Sequence, residues 1–197
     1  MQRIPFKHNT LLRQVTGNID IFFLSQNFCL IKNGGKEFFK IEPFEFEKFD
    51  FNEFFNPIFE KTKLLAEEKN IEISCASPQE NVFVEGDSLH LRRLFFNIIH
   101  NAIKFTPSGR KISLAVSVEN SHLKVVITDE GPGIPAEYLP QLFTRFFQVP
   151  GRDEDPQKGS GLGLNIAQSV AKAHQGTIEV QSQLNKGSVF TVTLPLA

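Results

Sequence analysis

The stretch NIIHNAIKFTP, residues 97–107, carries two patterns at once. Ile98, Ile99, Ala102, Ile103 and Phe105 recur at three- and four-residue steps, the rhythm of a helix with one buried side. Asn97 and Asn101 stand four apart on the same helix, so they share a face, with Lys104 the next residue along it. An amide oxygen is a modest ligand for a hard cation and suits Mg²⁺ held mainly by phosphates and water. Two amides and an ammonium in a row therefore suit a metal-bound polyphosphate. A helix that merely exposes two solvated amides is the alternative this segment leaves open.

The flanks define that helix. Asp87 is placed as its N-cap, and Pro107 with Gly109 stop it, so it runs from Ser88 to about Phe105. Ahead of it IEISCA (71–76) and NVFVEG (81–86) read as short strands, and residues 51–69 as a helix with Pro57 near its first turn or at a kink. Behind it RKISLAVSVEN and HLKVVITDE, joined through Asn120 and Ser121, read as a hairpin. LGLNIAQSVAKAHQG reads as a helix stopped at Gly176, and TIEVQSQ and GSVFTVTLPL as closing strands. Mixed helices and strands with two hairpins predict an α+β fold, a two-layer sandwich with helices on one face of a mixed, mostly antiparallel sheet. Leu11, Leu12, Val15, Ile19, Phe22, Phe23 and Leu30 extend the prediction to one N-terminal helix over residues 8–33, ended by NGG at 33–35.

Two further motifs carry chemistry. In ITDEGPGIP (127–135) a strand ends at Asp129, where a carboxylate accepts a hydrogen bond from an exocyclic amine, and Gly131 and Gly133 let backbone approach a flat ring. In GSGLGLNIAQSV (159–170) Gly159, Gly161 and Gly163 precede a helix whose N-terminal N–H groups favour phosphate. No strand leads into these glycines, which excludes a Rossmann unit. The polar stretch 149–161 leads into them instead and reads as a nucleotide lid. LFTRFFQ (142–148) supplies Phe143, Phe146 and Phe147 as a hinge for that lid, with Arg145 within reach of phosphate. Taken singly, D-x-G-x-G is more often an ordinary glycine turn, and an arginine on a surface loop is more often just solvated.

Composition narrows the function. The 197 residues carry a net charge of −1, which argues against a nucleic-acid partner. Cys29 and Cys75 form neither a metal spacing nor a disulfide framework, and no apolar run approaches the ~20 residues of a membrane span. These observations predict a cytoplasmic chain, with the full-length protein open to membrane anchoring.

In their order, the motifs make residues 45–197 resemble the ATP-binding catalytic domain of sensor histidine kinases, within the superfamily of gyrase B, the MutL ATPases and the heat-shock chaperone ATPase. NIIHNAIKFTP looks like the N box, DEGPGIP the G1 box, LFTRFFQ the F box, GSGLGL the G2 box and KGSVFTVTLPL the terminal G3-like strand. The resemblance implies a Bergerat-type sandwich that binds Mg·ATP, with ATP and Mg²⁺ as its cofactors. It implies that Asn101 coordinates Mg²⁺, that Asn97 and Lys104 attend the phosphates, and that Phe105 lies near the adenine. Asp129 would take the adenine amine, with Gly131, Gly133 and Ile134 shaping the base pocket. Gly159, Ser160, Gly161, Leu162, Gly163 and Leu164 would wrap the phosphates, with Phe143 and Arg145 from the F box. The gyrase-like members carry a glutamate where Asn97 stands, and an amide cannot activate water. The resemblance therefore implies phosphoryl transfer to histidine, catalysed by positioning and charge neutralisation through Asn101 and Lys104. A gyrase-type ATPase is disfavoured by Asn97 and the F box.

Two departures qualify this. The histidines are His8, His90, His100, His122 and His174, and none sits in an acceptor motif. His8 precedes the NGG stop by too short a span for a helical hairpin at ~1.5 Å per residue. Residues 1–36 thus read as the remnant of the second helix of a phosphoacceptor hairpin, and 37–197 as the catalytic domain. The expected partners are a separate dimerisation and phosphoacceptor domain and a response regulator receiver domain, with a homodimer through residues 8–33 as a further option. Gln148 stands where many relatives carry arginine, and its amide lacks the bidentate fork of a guanidinium. A non-catalytic nucleotide-binding module that signals through lid ordering is the competing reading.

Overall fold

A computed structural model describes residues 44–150 and 160–197, together with the backbone of five strands between residues 3 and 40; residues 1–2, 7–8, 17–18, 26–27, 34–35, 41–43 and 151–159 lie outside the described residues. His8 and Gly159 are among the latter. The chain forms two units, Met1–Phe46 and Glu47–Ala197.

In the first unit the backbone runs as an antiparallel meander: β1 (Arg3–Phe6), β2 (Asn9–Thr16), β3 (Ile19–Ser25), β4 (Phe28–Asn33) and β5 (Lys36–Lys40). The single helix expected over residues 8–33 is therefore corrected to strands. The reason is legible afterwards in Gly17-Asn18, Gln26-Asn27 and Gly34-Gly35, turn-forming pairs at hairpin spacing between runs rich in Val, Ile, Thr and Phe. A helix there would also carry Gly17 in its interior, at a cost of about 1 kcal/mol.

The second unit begins with β6 (Glu47–Asp50) and α1 (Phe51–Glu68). Asp50 caps α1 by accepting the N–H of Asn52 at 2.8 Å. Pro57 lies inside the helix. β7 (Glu72–Ala76) and β8 (Phe83–Gly86) follow, then α2 (Ser88–Phe105). Asp87 caps α2 through the N–H of His90 at 2.9 Å, as the sequence predicts, and Lys69 Nζ donates to the carbonyl of Ile103 at the other end. β9 (Lys111–Glu119) and β10 (His122–Asp129) form the predicted hairpin, with Asn120 and Ser121 at positive φ in its two-residue turn. A short 3₁₀ segment, Ala136–Gln141, leads towards α3 (Gly163–Ala173), β11 (Thr177–Ser182) and β12 (Ser188–Pro195).

The main sheet has the order β11-β12-β10-β9-β7, antiparallel except for the β7–β9 pair; β6 and β8 form a separate two-stranded ribbon. Burial alternates along β9, β10 and β12, so one sheet face is covered and the other solvated. The core joins that covered face, through Ile112, Leu114, Val125, Ile127 and Val192, to Leu91, Leu94, Phe95, Ile98 and Ile99 of α2. Each such side chain contributes roughly 1.5–3 kcal/mol by burial. Phenylalanine, 21 of the 197 residues, fills part of this core: Phe51 stacks on Phe55 at 5.2 Å, and Phe95 meets Phe55 edge-on at 5.2 Å. The α+β sandwich expected from the sequence is the architecture of this unit.

Candidate functional site

Burial of Ile98, Ile99 and Ala102 fixes the rotation of α2, and that rotation turns Asn97, Asn101 and Lys104 to one half-buried face. This face is one wall of a cavity of about 270 Å³. Lys104 Nζ lies 4.8 Å from the centre of the Phe105 ring, which also lines the cavity.

Asp129 closes one end. It is the last residue of β10, only 7% exposed, and its Oδ1 accepts the N–H of Gly131 at 2.8 Å. Opposite it in the sheet register stands Ser188, buried, whose hydroxyl lies 3.0 Å from that of Ser182. Ser182 Oγ donates to the carbonyl of Gly187 and accepts the N–H of Ile134, each at 2.8 Å. The turn that carries Gly131 and Gly133 packs here on the turn between β11 and β12, where the N–H of Asn185 donates to the carbonyl of Pro132 at 2.7 Å. Gly133, at φ +68°, packs so closely on Gln183 that a β-carbon would meet its carbonyl oxygen at 1.9 Å. Only glycine fits that position.

The opposite wall comes from α3 and the segment before it. Gly163 opens α3 beside Asn97, and no side chain caps the helix at Leu162. The N–H groups of its first turn thus stand at the cavity, an arrangement that attracts anions. Gly161, at φ +69°, accepts the N–H of Phe146 at 3.0 Å, and a β-carbon there would lie 2.7 Å from the Phe146 backbone.

The cavity gathers most of the residues singled out in the sequence: Asn97, Asn101, Lys104, Phe105, Asp129, Gly133, Ile134, Ser160, Gly161, Gly163 and Leu164. Gly131 is not among the lining residues but donates its N–H to Asp129, which is. Leu162, Phe143 and Arg145 are not among the lining residues, and Gly159 lies outside the described residues. Arg145 instead donates from Nε to Asn165 at 3.3 Å. Phe147 and Gln148 do line the cavity, as do Leu142, Val149, Ser188 and Phe190, which sequence reasoning passed over. Ser188 and Phe190 had a signal, since the alternation of β12 puts both on its covered face.

Among the described residues that line the cavity, Asp129 is the one carboxylate and Lys104 the one cation. Among the described residues no three His, Cys, Asp or Glu side chains cluster as a metal site. A cation here would therefore take an amide oxygen plus ligands brought by an anion, the donor set suited to Mg²⁺ on a polyphosphate. His100 is exposed and stacks on Phe96 at 5.5 Å. No helix among the described residues is long and apolar enough to cross a membrane.

Residues 86–197 match the family model described as "Histidine kinase-, DNA gyrase B-, and HSP90-like ATPase". The chain is 37% identical over 135 residues to "Histidine kinase P4" of Formosa agariphila, covering 66% of this chain and 10% of that protein. It is 35% identical over 138 residues to "Sensor histidine kinase CusS" of Escherichia coli K12, covering 70% and 28%. Among solved structures, "Mycobacterial sensor histidine kinase MprB" superposes with a TM-score of 0.66 at 29% identity, covering 77% of this chain and 98% of that one. "ShkA full-length in complex with AMPPNP" superposes at 0.67 with 27% identity, covering 78% and 31%. The chain thus spans between a tenth and about three tenths of the length of these curated relatives.

Proposed function

The chain belongs to the histidine kinase-, DNA gyrase B- and HSP90-like ATPase family, and from that premise we propose that it is the ATP-binding catalytic domain of a two-component sensor histidine kinase. It binds Mg·ATP and presents the γ-phosphate to a histidine on a separate dimerisation domain, from which a response regulator receiver domain takes the phosphoryl group. The catalytic unit, expected from the sequence over 37–197, is in this reading the compact unit Glu47–Ala197. One observation carries this reading: a single cavity sets two amides and a lysine along one helix, a buried carboxylate at one end and an uncapped helix N-terminus across from them.

In this reading Asp129, held by the Gly131 N–H, accepts from the adenine amine beside the Ser188 hydroxyl. The apolar side chains of Ile134, Leu142 and Phe190 exclude water from the base. Lys104 and the first N–H groups of α3 neutralise phosphate charge. Asn101 supplies an oxygen to Mg²⁺ and Asn97 supports the phosphates; bound there, the metal adds charge neutralisation to a transfer that proceeds mainly by positioning. Among the described lining residues there is no glutamate to take a proton from water, so hydrolysis should be slow and the γ-phosphate kept for its acceptor.

Incubating the chain with γ-labelled ATP and a purified hairpin domain bearing an acceptor histidine tests this. Acid-labile label on the hairpin supports the kinase reading; tight nucleotide binding without transfer supports a non-catalytic module. That second reading is favoured by one feature, the neutral Gln148 at the cavity while Arg145 is engaged elsewhere.

A further inference from the structure

We infer that Asn165 is a positioning residue of this site: its side-chain amide holds the turn 143–147 against the start of α3 and so sets where the cavity wall at 147–149 stands relative to Gly163 and Leu164. The inference deepens the nucleotide-binding reading and rests on it.

Asn165 sits in the first turn of α3, directly after two residues that line the cavity. Its Nδ2 donates to the carbonyl of Phe143 at 2.8 Å, a part-buried bond spanning 22 residues of sequence. Its Oδ1 accepts Nε of Arg145 at 3.3 Å. The partners fix the orientation of the amide, since a carbonyl only accepts and a guanidinium only donates. No other side chain of this size offers both functions. Aspartate keeps the acceptor for Arg145 but sets a carboxylate oxygen against the Phe143 carbonyl; alanine removes both.

A second contact joins the same two segments. The N–H of Phe146 donates to Gly161, and the tight packing of Gly161 on the Phe146 backbone leaves no room for a side chain. Phe146 itself is at φ +62° and 71% exposed. Its ring therefore does not bury the turn; the rings of Phe143 and Phe147 pack on the core at either end, and the bonds to Asn165 and Gly161 fix the backbone between them. The three residues that follow, Phe147, Gln148 and Val149, are cavity lining. A shift of the turn moves them with it, and the Oδ1 of the same side-chain amide holds Arg145 away from the cavity lining.

A merely helical role for Asn165 predicts the reverse of these effects. Asparagine is a poor helix former, so alanine at this position improves the intrinsic stability of α3. If the amide positions the turn, the Asn165→Ala variant keeps or nearly keeps its melting temperature and yet binds nucleotide less well.

The test uses the full chain and a fluorescent ATP analogue, measuring Kd, dissociation rate and melting temperature for wild type, Asn165→Ala, Asn165→Asp and Arg145→Ala. Loss of one anchoring hydrogen bond predicts a Kd about fivefold higher for Asn165→Ala and Asn165→Asp alike. That rise should come mainly from faster dissociation, with a smaller change for Arg145→Ala and unchanged melting in all three. Wild-type Kd in Asn165→Ala overturns the inference, and so does a weakened Kd that tracks a fallen melting temperature while Asn165→Asp binds normally. Failure of the wild-type chain to bind the analogue at all overturns the nucleotide reading and this inference together, a result distinct from either.

Discussion

Gly163 faces the side chain of Asn97 so closely that a β-carbon at position 163 would lie 3.4 Å from Asn97 Oδ1. This contact joins the two walls of the cavity. Alanine at 163 makes ordinary van der Waals contact and should bind nucleotide within about twofold of wild type. Valine adds two methyl groups in the direction of the amide, and the Gly163→Val variant should lose roughly tenfold or more in affinity. Titration with an ATP analogue, with melting curves as the control for folding, distinguishes local obstruction from unfolding.

The carboxylate of Asp129 accepts from Gly131 with one oxygen. The Asp129→Asn variant would keep that bond with its side-chain carbonyl oxygen and turn an NH₂ donor to where an acceptor stood. Fold stability should change by no more than about 1 kcal/mol. Affinity for adenine nucleotides should fall by at least ~10-fold, because an amine would then face a donor. Calorimetric titration of wild type and variant, with urea denaturation of both, checks the two halves separately.

Two glycines at positive φ should respond differently to alanine. At Gly109, φ +78°, nothing lies within 4 Å of the added carbon, so the backbone conformation alone costs about 1 kcal/mol. At Gly187, φ +84°, the carbon would meet the carbonyl oxygen of Asp129 at 1.8 Å. The Gly187→Ala variant should therefore lose roughly 3 kcal/mol or more, since the turn must leave the strand end. Denaturant midpoints of the two variants measure the difference.

His174 makes the stability of this unit depend on pH. The ring is buried at 3% exposure, its Nε2 accepts the N–H of Asp87 at 2.9 Å, and its Nδ1 faces the carbonyl of Val170 at 2.8 Å. Burial pushes its pKa below the usual 6.5, with the Val170 carbonyl and the Asp87 carboxylate opposing that shift and the His90 ring adding to it. The unfolded chain therefore binds the proton first. The contribution of neutral His174 is fully present above about pH 6.5 and is lost as pH falls through the lower folded value, at no more than ~1.4 kcal/mol per pH unit. Urea midpoints at pH 7.5 and 5.5 should show this loss, and a His174→Gln variant should be less stable at pH 7.5 with a smaller difference between the two values. An undiminished pH difference in the variant would assign the effect to other groups.

The second unit was legible because local signals agreed with the fold. The caps of α2, the two-residue turn of β9–β10 and the period of α3 each specify their element without distant contacts. In the first unit a helical reading of Leu11, Leu12, Val15 and Ile19 competed with runs rich in β-branched and aromatic residues, and the described backbone runs as strands. At the site, sequence found what helix faces and glycine turns determine. It placed Arg145 near phosphate because both lie near the glycine-rich segment, but a side chain 20 residues away, Asn165, engages the guanidinium. Ser188 enters the site through strand register, a relation between β10 and β12 that no local window contains.

The central claim is that the cavity between α2 and α3 holds Mg·ATP through Asn101 and Asp129. Isothermal titration of the chain with a non-hydrolysable ATP analogue, with and without Mg²⁺, tests it most directly. One saturable site per chain, tightened by Mg²⁺ in the wild type but not in Asn101→Ala, is the predicted result. No binding heat with the wild-type chain, or equal Mg²⁺ dependence in wild type and Asn101→Ala, would contradict it.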